Sequence, residues 1–296
     1  YIIHYPYKGN ISKMASNNEY YKCITAEHNI FSLNLLEVWK YRDLIYLFIK
    51  RNLYIRYAQT ILGPAWLFLN PLVSAIIYCF IFGGIAKIKT GGVPQILFYL
   101  ISSALWLFFS TCVVRNAATF NINARLFSKI YFPRLTLPIS QVLTSVIELA
   151  IQMIMVVALL FYFTYQGNIS PNWLACLYFP LLIIQLGLMG MGFGIIISSL
   201  TNKYRDLQLL LQYAVNLWMY ITPIVYPISQ IDNKYFRLII YANPASAPIE
   251  ACRYAVIGYG ETNFEALLWS AIFTFLVTII GIMIFNKVER TFMDNV

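Results

Sequence analysis

The chain has 296 residues, of which 60% are hydrophobic and only 11% are charged, and its formal net charge is +9. A soluble fold of this composition would have too little polar surface to cover itself, so an ordinary soluble protein is excluded. The positive charge does not indicate nucleic-acid binding, because the basic residues fall mainly in the segments between long apolar stretches.

The N-terminal part of the chain differs from the rest. Residues 1–31 are polar and rich in tyrosine, and they predict an irregular cytosolic tail without a signal peptide. From Ser32 to about residue 60 apolar residues such as Phe48 share the segment with basic residues such as Lys50 and Arg51. A basic, aromatic helix before a membrane span is typical of the cytosolic headgroup layer, so residues 32–60 are predicted to form an amphipathic interfacial helix.

Residues 61–296 predict a transmembrane domain of six helices. A span needs about 20 mostly apolar residues at a rise of 1.5 Å per residue. Two further apolar stretches, 235–241 and 247–257, are too short to span and predict short re-entrant helices on the outer face. The predicted fold is therefore all-α and polytopic, with spans at 65–86, 96–119, 138–165, 173–200, 207–225 and 265–285.

The distribution of Lys and Arg predicts the orientation of these spans. Basic residues are frequent before the first span, between the second and third spans, between the fourth and fifth and after the sixth, whereas fewer lie in the loops on the other side. Because positive charge marks the cytoplasmic side, both termini of this multi-pass chain are predicted to be cytosolic.

Two spans carry polar residues four apart, beside aromatic residues. Polar side chains inside a span are costly in lipid and normally face protein or water. Uncharged amides, hydroxyls and aromatic rings suit a sugar polymer better than an ion. We expect these residues to line a pathway, with hydrogen bonding between helices as the alternative. The first-span stripe is Trp66, Asn70, Ser74 and Tyr78. The fifth-span stripe runs from Gln208 through Gln212 and Asn216 to Tyr220, with Tyr213 beside it, and its expected lining residues are Gln212, Tyr213, Asn216 and Tyr220.

Other residues within the spans favour structural roles. Glu148 is the only acidic residue well inside a span, and a central ionised acid costs about 2.5–3.5 kcal/mol on insertion scales. Structural pairing of Glu148 is therefore favoured over a proton-coupling role. Gly190, Gly194 and Ser198 recur every four residues, which predicts close helix packing.

Nothing in the sequence predicts a catalytic, cofactor or metal site. The histidines, His4 and His28, lie in the predicted tail, the five cysteines lack metal-ligand spacing, and no GxxxxGK[ST] loop is present. We expect no cofactor in this chain, so any energy from ATP would have to enter through a partner.

Five motifs occur in the same order as in a known family. The chain resembles, over residues 32–285, the ABC exporter permeases for polysaccharides and polyol phosphates, which include O-antigen and teichoic-acid exporters. Ala58 and Asn70 depart from the family pattern, in which a basic residue and Gln are expected. The matching motifs are RYAQTILGPAW at 56–66, SKIYFPR at 128–134, YRD at 204–206, TPIVYP at 222–227 and NP at 243–244.

The resemblance implies an assembly and a location. It implies a homodimer with two separate ATPase subunits that bind ATP and Mg²⁺, in the bacterial cytoplasmic (inner) membrane, with lipid-linked polysaccharide as substrate. The pathway would run between the subunits, and the two short outer helices would act as gate helices. Residues 124–131, hereafter the coupling segment, would dock into the ATPase together with the loop at 204–206. The implied coupling residues are Arg125, Phe127, Lys129, Tyr131, Tyr204, Arg205 and Asp206.

Three other functions compete with this one. An ABC exporter of a small lipid or drug would share the architecture. A proton-coupled carrier would need Glu148 to titrate, and an intramembrane glycosyl- or acyltransferase is disfavoured because histidine and acid pairs are missing from the spans.

Overall fold

A computed structural model describes residues 35–58, 60–127, 132–167, 176–201, 206–231, 233–260 and 262–293. The predicted tail, residues 1–31, lies outside these ranges. Contacts divide the chain between Ser32 and Leu33, and every described residue belongs to the second unit. The boundaries predicted for the tail, the interfacial helix and the transmembrane domain stay predictions.

The described residues form helices, turns and loops without a β-strand. The first long apolar helix begins with a 3₁₀ turn at Gly63–Ala65 and ends with a π-helical stretch at Cys79–Ile85. The α-helices are α1 Leu35–Lys40, α2 Arg42–Tyr57, α3 Trp66–Tyr78, α4 Gln95–Ala117, α5 Thr119–Phe127, α6 Thr136–Tyr165, α7 Phe179–Thr201, α8 Leu207–Ile221, α9 Lys234–Ala242, α10 Ser246–Ile257 and α11 Phe264–Met293.

Five helical segments among the described residues are long and apolar enough to cross a membrane: Gly63–Ile85, Gln95–Ala117, Thr136–Tyr165, Phe179–Thr201 and Phe264–Lys287. They confirm the all-α polytopic fold and lie close to five of the predicted spans. The remaining predicted span, 207–225, contains α8, which has only 15 residues. At 1.5 Å per residue α8 is about 22 Å long, shorter than the hydrocarbon core of about 30 Å. The sixth crossing stays a prediction.

The helix α8 ends early for a local reason. Thr222 is extended, with ψ of 141°, and Pro223 follows it. A residue before proline is pushed out of the helical region, because the proline ring clashes with its backbone. Residues 222–227 therefore continue as turns and loop rather than as helix.

The predicted interfacial helix is two helices rather than one. α1 and α2 are separated at Tyr41, whose ψ of 22° is not helical. Ile45 and Phe48 of α2 are buried, whereas Tyr46, Leu47, Tyr54 and Ile55 are exposed. The chain leaves α2 after Tyr57 and turns at Gly63, whose φ of +51° a glycine adopts without strain.

α4 is the central helix of the bundle. Leu97, Phe98 and Phe109 are among its fully buried residues, and α4 packs against α3, α6 and α7. A Cβ atom at Gly190 would lie 2.6 Å from Cys112 Cβ, and one at Gly194 would lie 2.7 Å from the Val113 carbonyl oxygen. The predicted packing role of these two glycines is confirmed.

The two short apolar stretches near residues 235–257 form α9 and α10, as expected. Every side chain of α10 except Tyr254 is buried. Gly258 ends α10 in the left-handed conformation, with φ +69°, that glycine supplies at helix C-termini.

Candidate functional site

The first-span stripe lies on an open face of α3. Asn70 is exposed, and the side chain of Trp66 is 42% exposed. Ser74 is half-buried, and its hydroxyl donates to the Asn70 carbonyl oxygen at 2.9 Å within the helix. The adjacent face, about 100° around the helix and carrying Leu67 and Ala75, is buried against the bundle. The Asn70 amide and the Trp66 indole are therefore not covered by other parts of the same chain.

The fifth-span stripe has the same arrangement on α8. Gln212, Asn216, Tyr213 and Tyr220 are all exposed, the two tyrosines by 70% and 59%. The buried face of α8 carries Leu211 and Val215. Amides on an exposed face of an apolar helix must face water or another protein surface, because lipid offers them no partner.

The two stripes approach each other at the C-terminal ends of α3 and α8. The Tyr78 hydroxyl donates to the Met219 sulfur at 3.3 Å, next to Tyr220. Among the described residues, no hydrogen bond joins the remaining residues of the two stripes. Their lining of a pathway stays a prediction.

The residues that follow α8 are held by two of the sequence motifs. Trp218 Nε1 donates to Asn243 Oδ1 at 2.9 Å, and Asn243 Nδ2 donates to Thr222 Oγ1 at 2.9 Å. The Trp218 ring also packs edge-on against Phe109 and Phe193, with centroids 5.3 and 5.2 Å away. The TPIVYP and NP motifs thus fix the end of α8 to the turn between α9 and α10.

A buried arginine of α10 lies beside this region, and sequence reasoning missed it by counting Arg253 only as a loop charge. Arg253 is fully buried, and its Nη1 donates to the Pro223 carbonyl oxygen at 2.8 Å. Its guanidinium carbon lies 4.2 Å from the Phe98 ring centroid, and the group forms an ion pair with Glu250. The spacing of Glu250 and Arg253, three apart in a short apolar helix, is the signal that could have revealed the pair.

Glu148 lies in a second charged cluster, which confirms its structural pairing. Its carboxylate oxygens lie 2.9 Å from Arg56 and 2.5 Å from Arg115, and Arg115 also donates to the Ser145 hydroxyl. Burial, followed by the Glu148 charge, raises the pKa of Tyr57 to about 12. Tyr57 therefore keeps its proton and donates to Glu148 at 3.3 Å. The cluster joins α2, α4 and α6.

The predicted coupling residues are described only in part. Arg125 and Phe127 belong to α5, but their side chains lie outside the described set. Four further predicted residues lie wholly outside the described ranges: Lys129, Tyr131, Tyr204 and Arg205. Asp206 is exposed and precedes α8, where its carbonyl oxygen accepts from Leu209 and Leu210, both at 3.1 Å. Their role in coupling stays a prediction.

α5 itself is firmly attached on one side. The Phe120 ring stacks on Phe285 with centroids 4.6 Å apart, and its backbone amide donates to Ser198. Asn121 and Ile122 are exposed on another side of the helix. α5 therefore has a buried side that holds it to α7 and α11 and an open side that a partner could contact.

Comparison with known proteins identifies the family. The family described as ABC-2 type transporter matches residues 43–257. The chain belongs to the ABC-2 type transporter family. This match confirms the resemblance that the five motifs indicate. The matched range begins at the second residue of α2 and ends at the last residue of α10.

The ABC-2 type transporter is similar to three named proteins. It is 29% identical to the O-antigen export system permease protein RfbA of Klebsiella pneumoniae, over 85% of this chain and 94% of the relative. It is 29% identical to RfbA of Myxococcus xanthus, over 70% of this chain and 78% of the relative. It is 23% identical to the polysialic acid transport protein KpsM of Escherichia coli, over 83% of this chain and 93% of the relative.

Proposed function

We propose that this chain is the membrane subunit of an ATP-driven ABC exporter that moves a lipid-linked polysaccharide across the bacterial cytoplasmic membrane. The named relatives are permeases or transport proteins for O-antigen and polysialic acid, and the alignments cover most of each chain. The observation that carries the proposal is the pair of exposed, uncharged polar and aromatic stripes on α3 and α8.

The chemistry of these stripes fits a polymer of sugars. Trp66, Tyr213 and Tyr220 offer ring faces, and Asn70 and Gln212 offer amides that both donate and accept hydrogen bonds. Such groups bind each sugar weakly and can exchange it for the next one, which movement of a long chain requires. Fixed charges, which hold an ion, are absent from both stripes.

A second copy of the chain would close the pathway. In one copy both stripes are open on one side, so Asn70 and Asn216 would face lipid if the subunit worked alone. In a homodimer in which these faces oppose each other, the second copy covers the open side of both stripes and encloses the pathway. The closed interior then contains amides and rings from both subunits.

The energy source is a separate ATPase that binds ATP and Mg²⁺. The open side of α5, the helix that includes the first residues of the coupling segment, is the proposed docking site for one ATPase subunit on each copy, and the 204–206 loop is a second proposed contact. Both termini and these elements are then cytosolic, in agreement with the excess of Lys and Arg in the same segments. The chain itself has no enzymatic activity in this proposal.

The proton-coupled alternative is weakened by the environment of Glu148. The carboxylate pairs with both Arg56 and Arg115, whereas a proton carrier would have to break these ion pairs each time it takes up a proton. An exporter of a small lipid or drug remains the second candidate, because the same architecture would serve it.

One experiment separates these functions. The gene is deleted in its own host, and the tagged chain is returned and purified from membranes. We expect an ATPase subunit to co-purify, and the deletion to remove polysaccharide from the cell surface while lipid-linked polymer accumulates inside. Unchanged surface polysaccharide in the deletion strain would favour the small-molecule exporter. Transport by the isolated chain without an ATPase would refute the proposal.

A further inference from the structure

The interfacial helix α2 makes a polar contact with α5. Arg51 Nη2 donates to Asn123 Oδ1 at 3.2 Å, although the two residues are 72 positions apart in the chain. The guanidinium carbon of Arg51 also lies 4.9 Å from the Phe48 ring centroid, one turn earlier in α2. The planar guanidinium thus stacks on a ring and donates at its edge, which a lysine cannot do as well.

The same turn of α2 also contacts the residue that follows the coupling segment. The rings of Phe48 and Phe132 pack with centroids 5.7 Å apart, and Phe132 is buried. Asn123 immediately precedes the coupling segment and Phe132 immediately follows it. Two residues of α2, three positions apart, therefore contact both residues that flank residues 124–131.

The other end of α2 is attached to the bundle and leads to the first-span stripe. Arg56 pairs with Glu148, which also pairs with Arg115 in α4. After Tyr57 and the turn at Gly63, the chain reaches Trp66, the first residue of the stripe. α2 thus contacts both flanks of the coupling segment and pairs with α6 near its C-terminal end, from which the chain continues to α3.

We propose that Phe48 and Arg51 form a clamp on the flanks of the coupling segment and that Arg51 is a positioning residue for energy coupling. A displacement of the segment by the ATPase is passed through Asn123 and Phe132 to α2, and from α2 to the start of α3. This inference rests on the proposed function, because it requires that an ATPase contacts residues 124–131.

The clamp explains why the contact is polar on one flank and aromatic on the other. The aromatic contact holds by shape and burial, so it resists separation in any direction. The hydrogen bond from a charged donor is directional and fixes the orientation of α5 about α2. Together they transmit both displacement and rotation.

The test uses the complete complex with its ATPase in proteoliposomes and in cells. Arg51→Met keeps the side-chain length but removes the donors, and Asn123→Leu removes the acceptor. Lys50→Met is the matched control, because Lys50 is the exposed neighbour of Arg51. We expect both clamp variants to export at least about threefold less polymer per ATP hydrolysed, since a charge-assisted hydrogen bond contributes enough energy for such a change. ATPase binding and hydrolysis should persist.

Asn123→Asp provides the rescue that a merely structural role would not produce. Both Asn123→Asp and Asn123→Leu lose the donor that Asn123 Nδ2 gives to the Thr119 carbonyl oxygen, but only the aspartate keeps an acceptor for Arg51. We expect the ratio of export to hydrolysis to be near wild type in Asn123→Asp and low in Asn123→Leu.

The outcomes distinguish this inference from the proposed function. If the wild-type chain does not bind an ATPase, the proposed function fails and the clamp fails with it. If the ATPase binds but Arg51→Met and Asn123→Leu keep the wild-type ratio of export to hydrolysis, the clamp alone is refuted. An equal fall of export and hydrolysis in both variants, without rescue by aspartate, would also refute it.

Discussion

Arg253 Nη1 donates a hydrogen bond to the carbonyl oxygen of Pro223 at 2.8 Å, deep inside the protein. Pro223 follows the end of α8, and Arg253 belongs to α10. The same guanidinium is paired with Glu250 and lies over the Phe98 ring of α4. One side chain therefore connects the end of the fifth-span stripe to the central helix of the bundle.

Replacing Arg253 with Met should destabilise the protein strongly. The substitution leaves the Glu250 carboxylate buried without its partner, and breaking a buried ion pair in this way costs about 3–5 kcal/mol. Thermal unfolding in detergent, followed by size-exclusion chromatography, measures the effect. Lys234→Met, at an exposed position of α9, is the control. Adding Glu250→Gln should recover part of the loss, and fully additive losses would contradict the pairing.

Removing ring faces from the stripes should impair export without affecting assembly. Trp66→Ala and Tyr220→Ala each delete an exposed ring that we assign to the pathway, and a single stacking interaction with a sugar contributes about 1 kcal/mol, or several-fold in rate. Tyr162→Ala, at an exposed tyrosine of α6 outside both stripes, is the matched control. Surface polysaccharide and co-purified ATPase are measured together. Normal surface polymer in both stripe variants would remove these residues from the pathway.

Neutralising Glu148 should weaken the protein but not abolish transport. Glu148→Gln leaves Arg56 and Arg115 close together without a counter-charge, so we expect a lower unfolding temperature. Because ATP rather than a proton gradient drives export in our proposal, the variant that folds should still export polymer. Surface polymer per folded subunit is the readout. Complete loss of export with normal stability and ATPase binding would instead favour the proton carrier.

Enlarging Gly194 should disturb the packing of α7 against α4. A Cβ atom there would lie 2.7 Å from the Val113 carbonyl oxygen, and backbone cannot move as easily as a side-chain tip. Overpacking of this kind costs about 1–3 kcal/mol. Gly194→Ala should therefore lower the unfolding temperature more than Gly84→Ala, where the nearest atom is 3.9 Å away. Equal stability of the two variants would contradict the close approach.

Reversing charge in the coupling segment should weaken ATPase binding. Arg125→Glu combined with Lys129→Glu changes two predicted coupling residues, and an oriented charge contact between proteins contributes to both affinity and association rate. Lys234→Glu, on the predicted outer face, is the control. Co-purification of the ATPase with the tagged chain gives the result. Wild-type recovery of the ATPase in the double variant would count against docking at residues 124–131.

Much of the fold follows from the sequence because apolar length and helical period are local properties. Five spans and the two short helices near residues 235–257 are predicted in this way. The early end of α8 is not, because apolar residues such as Val225 continue the hydrophobic pattern after Pro223 has already ended the helix. The break at Tyr41 has no proline or glycine to mark it.

The partners of the buried charges could not be predicted, because they depend on how distant helices pack. The sequence marks Glu148 as a residue that needs pairing, but its partners Arg56 and Arg115 lie on two other helices. Arg253 lies in the predicted short helix 247–257, but its contact with Pro223 could not be predicted, since the acceptor is a backbone carbonyl that carries no sequence signature. The shared helix face of each stripe, by contrast, follows from the four-residue spacing, although Ser74 and Tyr78 are half-buried.

The short length of α8 has an electrostatic consequence for any cargo that passes it. The residues just beyond Ile221, 222–227, form turns and loop rather than a continuous helix. Non-helical backbone at membrane depth is tolerated where protein or water surrounds it. In the pathway that we propose, water entering from outside to this depth would make the zone of low dielectric constant thinner here than in the surrounding bilayer. A hydrated sugar would regain its solvation shell before it reaches the level of the outer headgroups, which lowers the desolvation barrier to release.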